Sequence, residues 1–151
     1  QWEQEGKLKA VITQNIDGLH QAAGSRRVLE LHGSIYRNHC LGCGRSYSLA
    51  DVLALPGVPR CVDCGAVIKP DVVLYEEALD PAVIEASIGE LAAADVLIVG
   101  GTSLQVYPAA GLVRAFGGRD LVLINREVTD YDSLATLTIR EPIGQALGWL
   151  A

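Results

Sequence analysis

The sequence has no methionine among its 151 residues and opens on Gln1, a pattern expected of a fragment or a processed chain. Nothing at its start reads as a signal peptide, because QWEQEGKLKA has no apolar run. No stretch approaches the roughly 20 apolar residues of a membrane span. The expectation is a soluble, cytoplasmic protein with no membrane partner. Positive charge is in deficit, with 12 Lys and Arg against 18 Asp and Glu and a net charge of −6. That balance argues against nucleic acid, because such binding draws mainly on cationic contacts to phosphate. An acidic surface favours basic partners such as lysine-bearing peptides. Charged residues make up only 20% of the chain, too few for a disordered segment. Repeats and low-complexity tracts are missing. So is a G-x-G-x-x-G turn after a strand, which speaks against a nicotinamide dehydrogenase.

What is present suits one domain with room for a small insert. Half of the residues are hydrophobic, enough to bury a core. Residues 9–13 read as a strand running into Asn15-Ile16-Asp17-Gly18, where Asp17 could cap a short helix ending near Gly24. Residues 28–31 form a second short strand, with His32-Gly33 at its end. Ser48-Leu49-Ala50-Asp51 reads as a capping box. Residues 72–75 are a strand candidate. Asp80-Pro81 then opens a helix with Val83, Ile84, Ile88, Leu91 and Ala92 at helical spacing. DVLIVG (95–100) and LVLIN (121–125) have the continuous apolar character of parallel strands covered on both faces. A helix over 108–116 separates them. A last strand over 134–139 and a helix over 141–150 follow. Alternating buried strands and helices predict an α/β fold with a doubly wound, Rossmann-like parallel sheet.

Between residues 38 and 69 the texture changes. Cys40-x2-Cys43, seventeen intervening residues and Cys61-x2-Cys64 fit the spacing of a four-cysteine zinc site. A two-residue gap lets both thiolates of a knuckle face one tetrahedral ion, and Gly44 and Gly65 permit the tight turns. A filled cysteine shell has no open position for water, so the zinc is expected to be structural. The competing readings are a pair of disulfides, four buried thiols, or His39 as an alternative ligand. The predicted boundaries are a zinc-binding module at 38–69 inserted between 1–37 and 70–151 of an NAD-binding domain.

Three polar segments fall where strands end: TQNIDGLH (13–20), LHGS (31–34) and GGTSL (100–104). Ligands of open α/β sheets bind at the carboxyl ends of strands, so these would line one cleft. Each has a plainer reading. Asn15 and Asp17 serve as turn and cap residues, His32 as a structural histidine, Gly101-Thr102-Ser103 as a loop, and Asn125 as a strand-terminal turn residue.

Taken in order, TQNIDGLH, LHGS, the paired C-x2-C knuckles, KPDVVLYEE (69–77), GTSLQVYPAA (101–110) and LIN (123–125) resemble the sirtuin family, of bacterial type, from about Lys9 onward. The resemblance implies an NAD-dependent protein deacylase acting on acyl-lysine proteins or peptides, with NAD+ and a structural Zn2+. It implies that Gln14, Asn15 and Asp17 line the nicotinamide and adjacent ribose pocket, Asn15 and Asp17 holding the reactive pose. His32 would be the general base. Val73 and Tyr75 would border the acyl-lysine channel, and Glu77 would lie on the strand that pairs with substrate peptide. Gly101, Thr102 and Ser103 would meet the phosphate and ribose side of NAD, and Asn125 with Glu127 the adenosine ribose. In the family's reaction the acyl oxygen attacks the ribose as nicotinamide leaves. A ribose hydroxyl then loses a proton, a transfer suited to an imidazole at neutral pH. Water releases the lysine and leaves O-acyl-ADP-ribose.

The family's first strand, its GAGxS phosphate loop and a PDFR-like segment are not in this sequence. The expected sheet is thus N-terminally truncated, with open strand edges. The family's usual glycine in an FGE-like triplet is replaced by Glu76, and its Phe by Tyr75. The competing functional readings are a protein mono-ADP-ribosyltransferase and a catalytically incomplete fragment acting as a zinc-ribbon interaction module.

Overall fold

A computed structural model describes residues 1–148 of the 151. The chain divides into two compact units, Val11–Asp80 on one side and Gln1–Ala10 with Pro81–Ala151 on the other.

In the first unit, β1 (Val11–Thr13) leads through a turn to the short helix α1 (Leu19–Ala22) and then to β2 (Val28–Glu30). β1 and β2 pair in parallel, with Thr13 opposite Glu30. The ladder continues one step further, because Leu31 N–H donates to the Thr13 carbonyl. Asp17, expected as the helix cap, instead closes the turn just before the helix. Its Oδ1 accepts from the Leu19 backbone N–H at 3.0 Å, and Gly18 occupies the cap position itself.

β3 (Gly33–Cys40), β4 (Ser46–Ser48) and β5 (Ile68–Val72) form an antiparallel sheet in the order β4-β3-β5. Helix α2 (Leu49–Leu53) starts at the expected capping box. Ser48 Oγ accepts from Asp51 N–H, and the Asp51 carboxylate accepts from Ser48 N–H. The strand expected over 72–75 lies earlier, at Ile68–Val72. Pro70 sits inside it, tolerated because β5 is an edge strand and one side of its ladder needs no N–H. Lys69 fastens the strand's end, its Nζ donating to the Pro70 and Val72 carbonyls at 3.3 and 2.8 Å. The small core beneath is Cys40, Cys61 and Ile68, flanked by Tyr47, Val52, Leu55 and Ala66.

Gly33, which follows His32, is required by its backbone. Its φ is +73°, and a Cβ there would lie 1.8 Å from the Asp71 carbonyl oxygen of the paired strand. Both strain and overlap fall on backbone atoms that cannot rotate away. Gly33→Ala is expected to destabilise the unit by roughly 2–4 kcal/mol, read as a lower midpoint in denaturant unfolding. A midpoint unchanged from wild type would contradict the tight β3–β5 approach.

The second unit contains α3 (Pro81–Ala93), β6 (Val96–Gly100), a 3-10 helix (Ala109–Ala115), β7 (Asp120–Ile124), a short 3-10 turn (Asp132–Leu134), β8 (Leu137–Ile139) and α4 (Ile143–Gly148). β6, β7 and β8 form a parallel sheet in sequence order. Its core contains Leu104, Ala110, Leu123 and Tyr131. On α3 the inward face centres on Ser87 and Leu91, whereas Ile88 and Ala92 are exposed. Ser87 is tolerated inside because its hydroxyl donates to the Val83 carbonyl at 2.7 Å. The helix expected over 108–116 is wound as a 3-10 helix, with helix-weakening Gly111 in its middle. The final helix occupies 143–148, and the part expected at 149–150 lies outside the described residues.

The fold is α/β with parallel strands, as expected, but the strands belong to two sheets, β1-β2 and β6-β7-β8. Among the described residues β6 pairs with β7 alone, so it is an edge strand, and Val96 and Ile98 are 51% and 40% exposed. Coverage on both faces, expected from the apolar run, does not extend to these two side chains. No helix among the described residues is long and apolar enough to cross a membrane.

Candidate active site and metal centre

The first unit carries His32, Gln14, Asn15 and Asp17, together with Val73, Tyr75, Glu77 and all four cysteines. The parallel pairing of β1 and β2 brings the two motifs side by side, since each follows the carboxyl end of its strand. The His32 Nδ1 lies 3.0 Å from the Gln14 carbonyl oxygen. A carbonyl can only accept, so the proton sits on Nδ1 and the neutral ring presents Nε2 as its basic atom. The histidine backbone is fixed as well, its carbonyl accepting from Val73 N–H at 3.0 Å. Asn15 is exposed, and its backbone N–H donates to Thr13 Oγ1, which shapes the turn out of β1.

Val73, Tyr75 and Glu77 follow β5 rather than forming a strand, which corrects the placement of Glu77 on a pairing strand. Leu74 to Glu77 is a tight turn closed by Glu77 N–H on the Leu74 carbonyl at 3.1 Å. The Glu77 carboxylate accepts from Leu74 N–H at 2.9 Å and lies 3.5 Å from Lys69 Nζ. That backbone donor first, and the lysine charge after it, hold the Glu77 carboxyl below its ordinary range. Tyr75 is 97% exposed at the tip.

Glu76 has φ +71°, the left-handed conformation at the third position of such a turn. This gives a physical reason for glycine at that point in the resembling family. Left-handed backbone costs a side-chain-bearing residue about 1–2 kcal/mol, partly offset by the greater chain entropy glycine loses on folding. Glu76→Gly is therefore expected to raise stability by about 0–1 kcal/mol in thermal melts. A clear loss would mean that the Glu76 side chain makes a stabilising contact.

The second unit carries Gly101, Thr102, Ser103, Asn125 and Glu127. Gly100 and Ile124 are register partners, so the Gly101–Ser103 turn and Asn125 leave adjacent parallel strands at the same level. Gly101 has φ +65°, and its N–H donates to the Ile124 carbonyl. Asn125 Nδ2 donates to the Glu127 carbonyl at 3.0 Å. Arg140 completes this corner, its Nη1 donating to the Asn125 and Glu127 carbonyls at 3.0 and 2.8 Å while Nη2 pairs with Asp132. Nothing in the sequence around Arg140 marks it, because its partners are 8 to 15 residues away. The hydroxyls, amide and carboxylate at these strand ends are donor and acceptor types that suit a nucleotide's ribose and phosphate groups.

The four cysteine Sγ atoms lie within 4.8 Å of one another. Cys40 and Cys64 are 3.3 Å apart and Cys43 and Cys61 are 3.6 Å apart. A disulfide needs about 2.05 Å, and all four cysteines are free thiols. Thiolates about 2.3 Å from one tetrahedral ion would stand roughly 3.8 Å apart, so the cluster has the scale of a zinc shell. Gly42 and Cys43 N–H groups both point at Cys40 Sγ, the knuckle expected from a two-residue gap. His39 pairs with Asp71, which leaves the shell to the cysteines. The thiols do not ionise alike. The Tyr47 hydroxyl, donating at 3.2 Å, is the largest cause drawing Cys61 down to about 6. At Cys64 the Ala66 N–H acts downward, but Cys40, burial and the neighbouring thiols outweigh it and push the group up to about 12. Four thiols this close resist ionising together unless a cation sits among them.

An α/β fold with a tetrathiol zinc centre, and a histidine aimed from a strand end, defines the class. The Sir2 family pattern matches residues 1–108, and the chain belongs to that family. It is 57% identical over 146 residues to the NAD-dependent protein deacetylase of Clostridium acetobutylicum, covering 96% of this chain and 60% of that protein. The protein of the same name from Staphylococcus aureus is 47% identical over 139 residues, covering 92% of the chain and 57% of that protein. Among solved structures, Sir2 bound to acetylated peptide superposes with a TM-score of 0.92 at 38% identity, over 99% of this chain and 65% of the other. A Sir2 complex with p53 peptide and NAD+ gives 0.88 at 39% identity, over 99% and 67%. The chain thus spans about 60% of the length of the curated relatives it matches.

Proposed function

We propose that the chain carries the base, nucleotide-binding and zinc elements of an NAD-dependent protein-lysine deacylase. The observation that carries this reading is the His32 ring, held through Nδ1 by the Gln14 carbonyl so that Nε2 is the basic atom. The names of the relatives support the activity, and the Sir2 complexes with acetylated and propionylated peptides support acyl-lysine as substrate. Bound NAD+ supplies an electrophilic ribose carbon with nicotinamide as leaving group. His32 Nε2 takes the proton of a sugar hydroxyl. Gln14, Asn15 and Asp17 hold the nicotinamide end of the dinucleotide; Asp17 is already tied to the turn through Leu19 N–H. Gly101, Thr102 and Ser103 take the phosphate and ribose side, and Asn125 and Glu127, braced by Arg140, the adenosine ribose. Val73 and Tyr75 border the acyl-lysine, with Glu77 acting through the turn it closes. We assign 38–69 to the zinc module and 1–37 with 70–151 to nucleotide binding. A cytoplasmic location is supported by bacterial relatives and by a tetrathiol that needs a reducing compartment.

Nicotinamide release tests the proposal. Release from NAD+ should require an acetyl-lysine peptide. Release that is indifferent to the acetyl group would favour ADP-ribosyl transfer to protein. A chain that holds zinc yet shows no thermal shift with NAD+ would be an interaction module.

A further inference from the structure

The two cysteine knuckles come from different stretches of chain, one at the end of β3 and one beyond residue 60. Two side chains from the β4 region reach across between them. Arg45 Nη1 lies 2.6 Å from both Asp63 carboxylate oxygens, inside the second knuckle. Tyr47 does more. Its hydroxyl donates to Cys61 Sγ at 3.2 Å and accepts from Val62 N–H at 3.2 Å, so both its donor and an acceptor site are engaged on adjacent residues. Cys61 Sγ thus has a hydroxyl donor from outside its own knuckle, brought in from β4.

The phenol is braced at its backbone, its ring and its hydroxyl. Tyr47 lies opposite Asn38 in the β3–β4 ladder, and the buried Asn38 amide donates to the Ile35 and Tyr47 carbonyls. Its ring packs against the Cys40–Cys61–Ile68 core, and the Arg45 guanidinium sits 5.5 Å from the ring centroid, within cation–π range. An O–H donor on a thiolate spreads the sulfur's negative charge and fixes the direction of its lone pairs. Outer donors of this kind orient metal ligands and tune the metal.

We infer that Tyr47 is a positioning residue for the zinc ion, its hydroxyl orienting the Cys61 thiolate and tying the second knuckle to the first. The inference rests on the reading of the four cysteines as a zinc site. It concerns retention of the metal and does not require turnover.

Tyr47→Phe tests it, because the ring, its packing and the Arg45 stacking stay while the hydroxyl goes. Zinc affinity is measured on the whole chain by competition with a chromophoric chelator, and the Co(II)-substituted protein is examined by absorption. The variant is expected to lose roughly ten- to hundred-fold in zinc affinity. The thiolate-to-cobalt charge-transfer band should move to lower energy, because a sulfur without its hydrogen bond gives up an electron more readily. A loosened fold alone would not move that band while the tetrahedral d–d bands persist. Wild-type affinity, or an unmoved charge-transfer band, would overturn the inference. A variant isolated without metal is loaded with Co(II) and judged by the band. A wild-type chain that takes up neither zinc nor cobalt would instead overturn the zinc reading beneath it.

Discussion

His32→Ala is expected to lower NAD-dependent deacylation by about 10²–10⁴-fold, the usual contribution of a general base. The argument is geometric. The Gln14 carbonyl, 3.0 Å from Nδ1, fixes the tautomer, so Nε2 is the atom able to take a proton. Alanine removes that atom and leaves the surrounding backbone pairing in place. The His32 carbonyl still accepts from Val73, and Gly33 still approaches Asp71. The variant should therefore keep its zinc content and its melting temperature within a few degrees. Steady-state rates with an acetyl-lysine peptide, alongside zinc content and melting curves, check this. A folded, zinc-loaded variant with wild-type turnover would remove His32 from the mechanism and return it to its plainer structural role.

Stripping the metal is expected to unfold the module around it. Structural zinc contributes about 10–16 kcal/mol in small zinc folds, comparable with the roughly 5–15 kcal/mol that stabilises a whole domain. The local core is too slight to replace that, since among the described residues its buried hydrophobic cluster is Cys40, Cys61 and Ile68. Without an ion, the thiolates would repel across gaps of 3.3 and 3.6 Å, or remain protonated. Hydrogen exchange gives a local reading. The Leu41 and Ile68 amides, bonded to the Val67 and Pro59 carbonyls, should lose protection on chelation or in Cys61→Ser. Amides of β7, paired on both sides in the other unit, should keep theirs. Protection at Leu41 and Ile68 that survives complete removal of zinc would show that the module is held by its own packing.

How far the sequence foretold this depended on how local each signal was. The cysteine tetrad was legible because a two-residue gap constrains both thiols within one turn. The Ser48–Asp51 capping box was legible for the same reason. β7 was placed to within a residue, since LVLI is apolar and closed by turn residues on both sides. β5 was misplaced because Lys69 and Pro70 read as the end of a loop, and only the sheet order reveals that the strand is an edge where proline is harmless. The inward face of α3 was rotated because apolar spacing cannot foresee a buried Ser87 that bonds back to Val83. Arg140 and Tyr47 escaped notice because their partners are far away along the chain. Glu76 stood out only against the family's glycine, and its φ of +71° supplies the reason.

The most direct test of the account is mass spectrometry of an acetyl-lysine peptide incubated with this chain, with and without NAD+. The account predicts loss of the acetyl group only when NAD+ is present, with nicotinamide and O-acetyl-ADP-ribose formed in equal amounts. A folded chain holding one zinc that leaves the peptide acetylated, or that consumes NAD+ without forming O-acetyl-ADP-ribose, would contradict it.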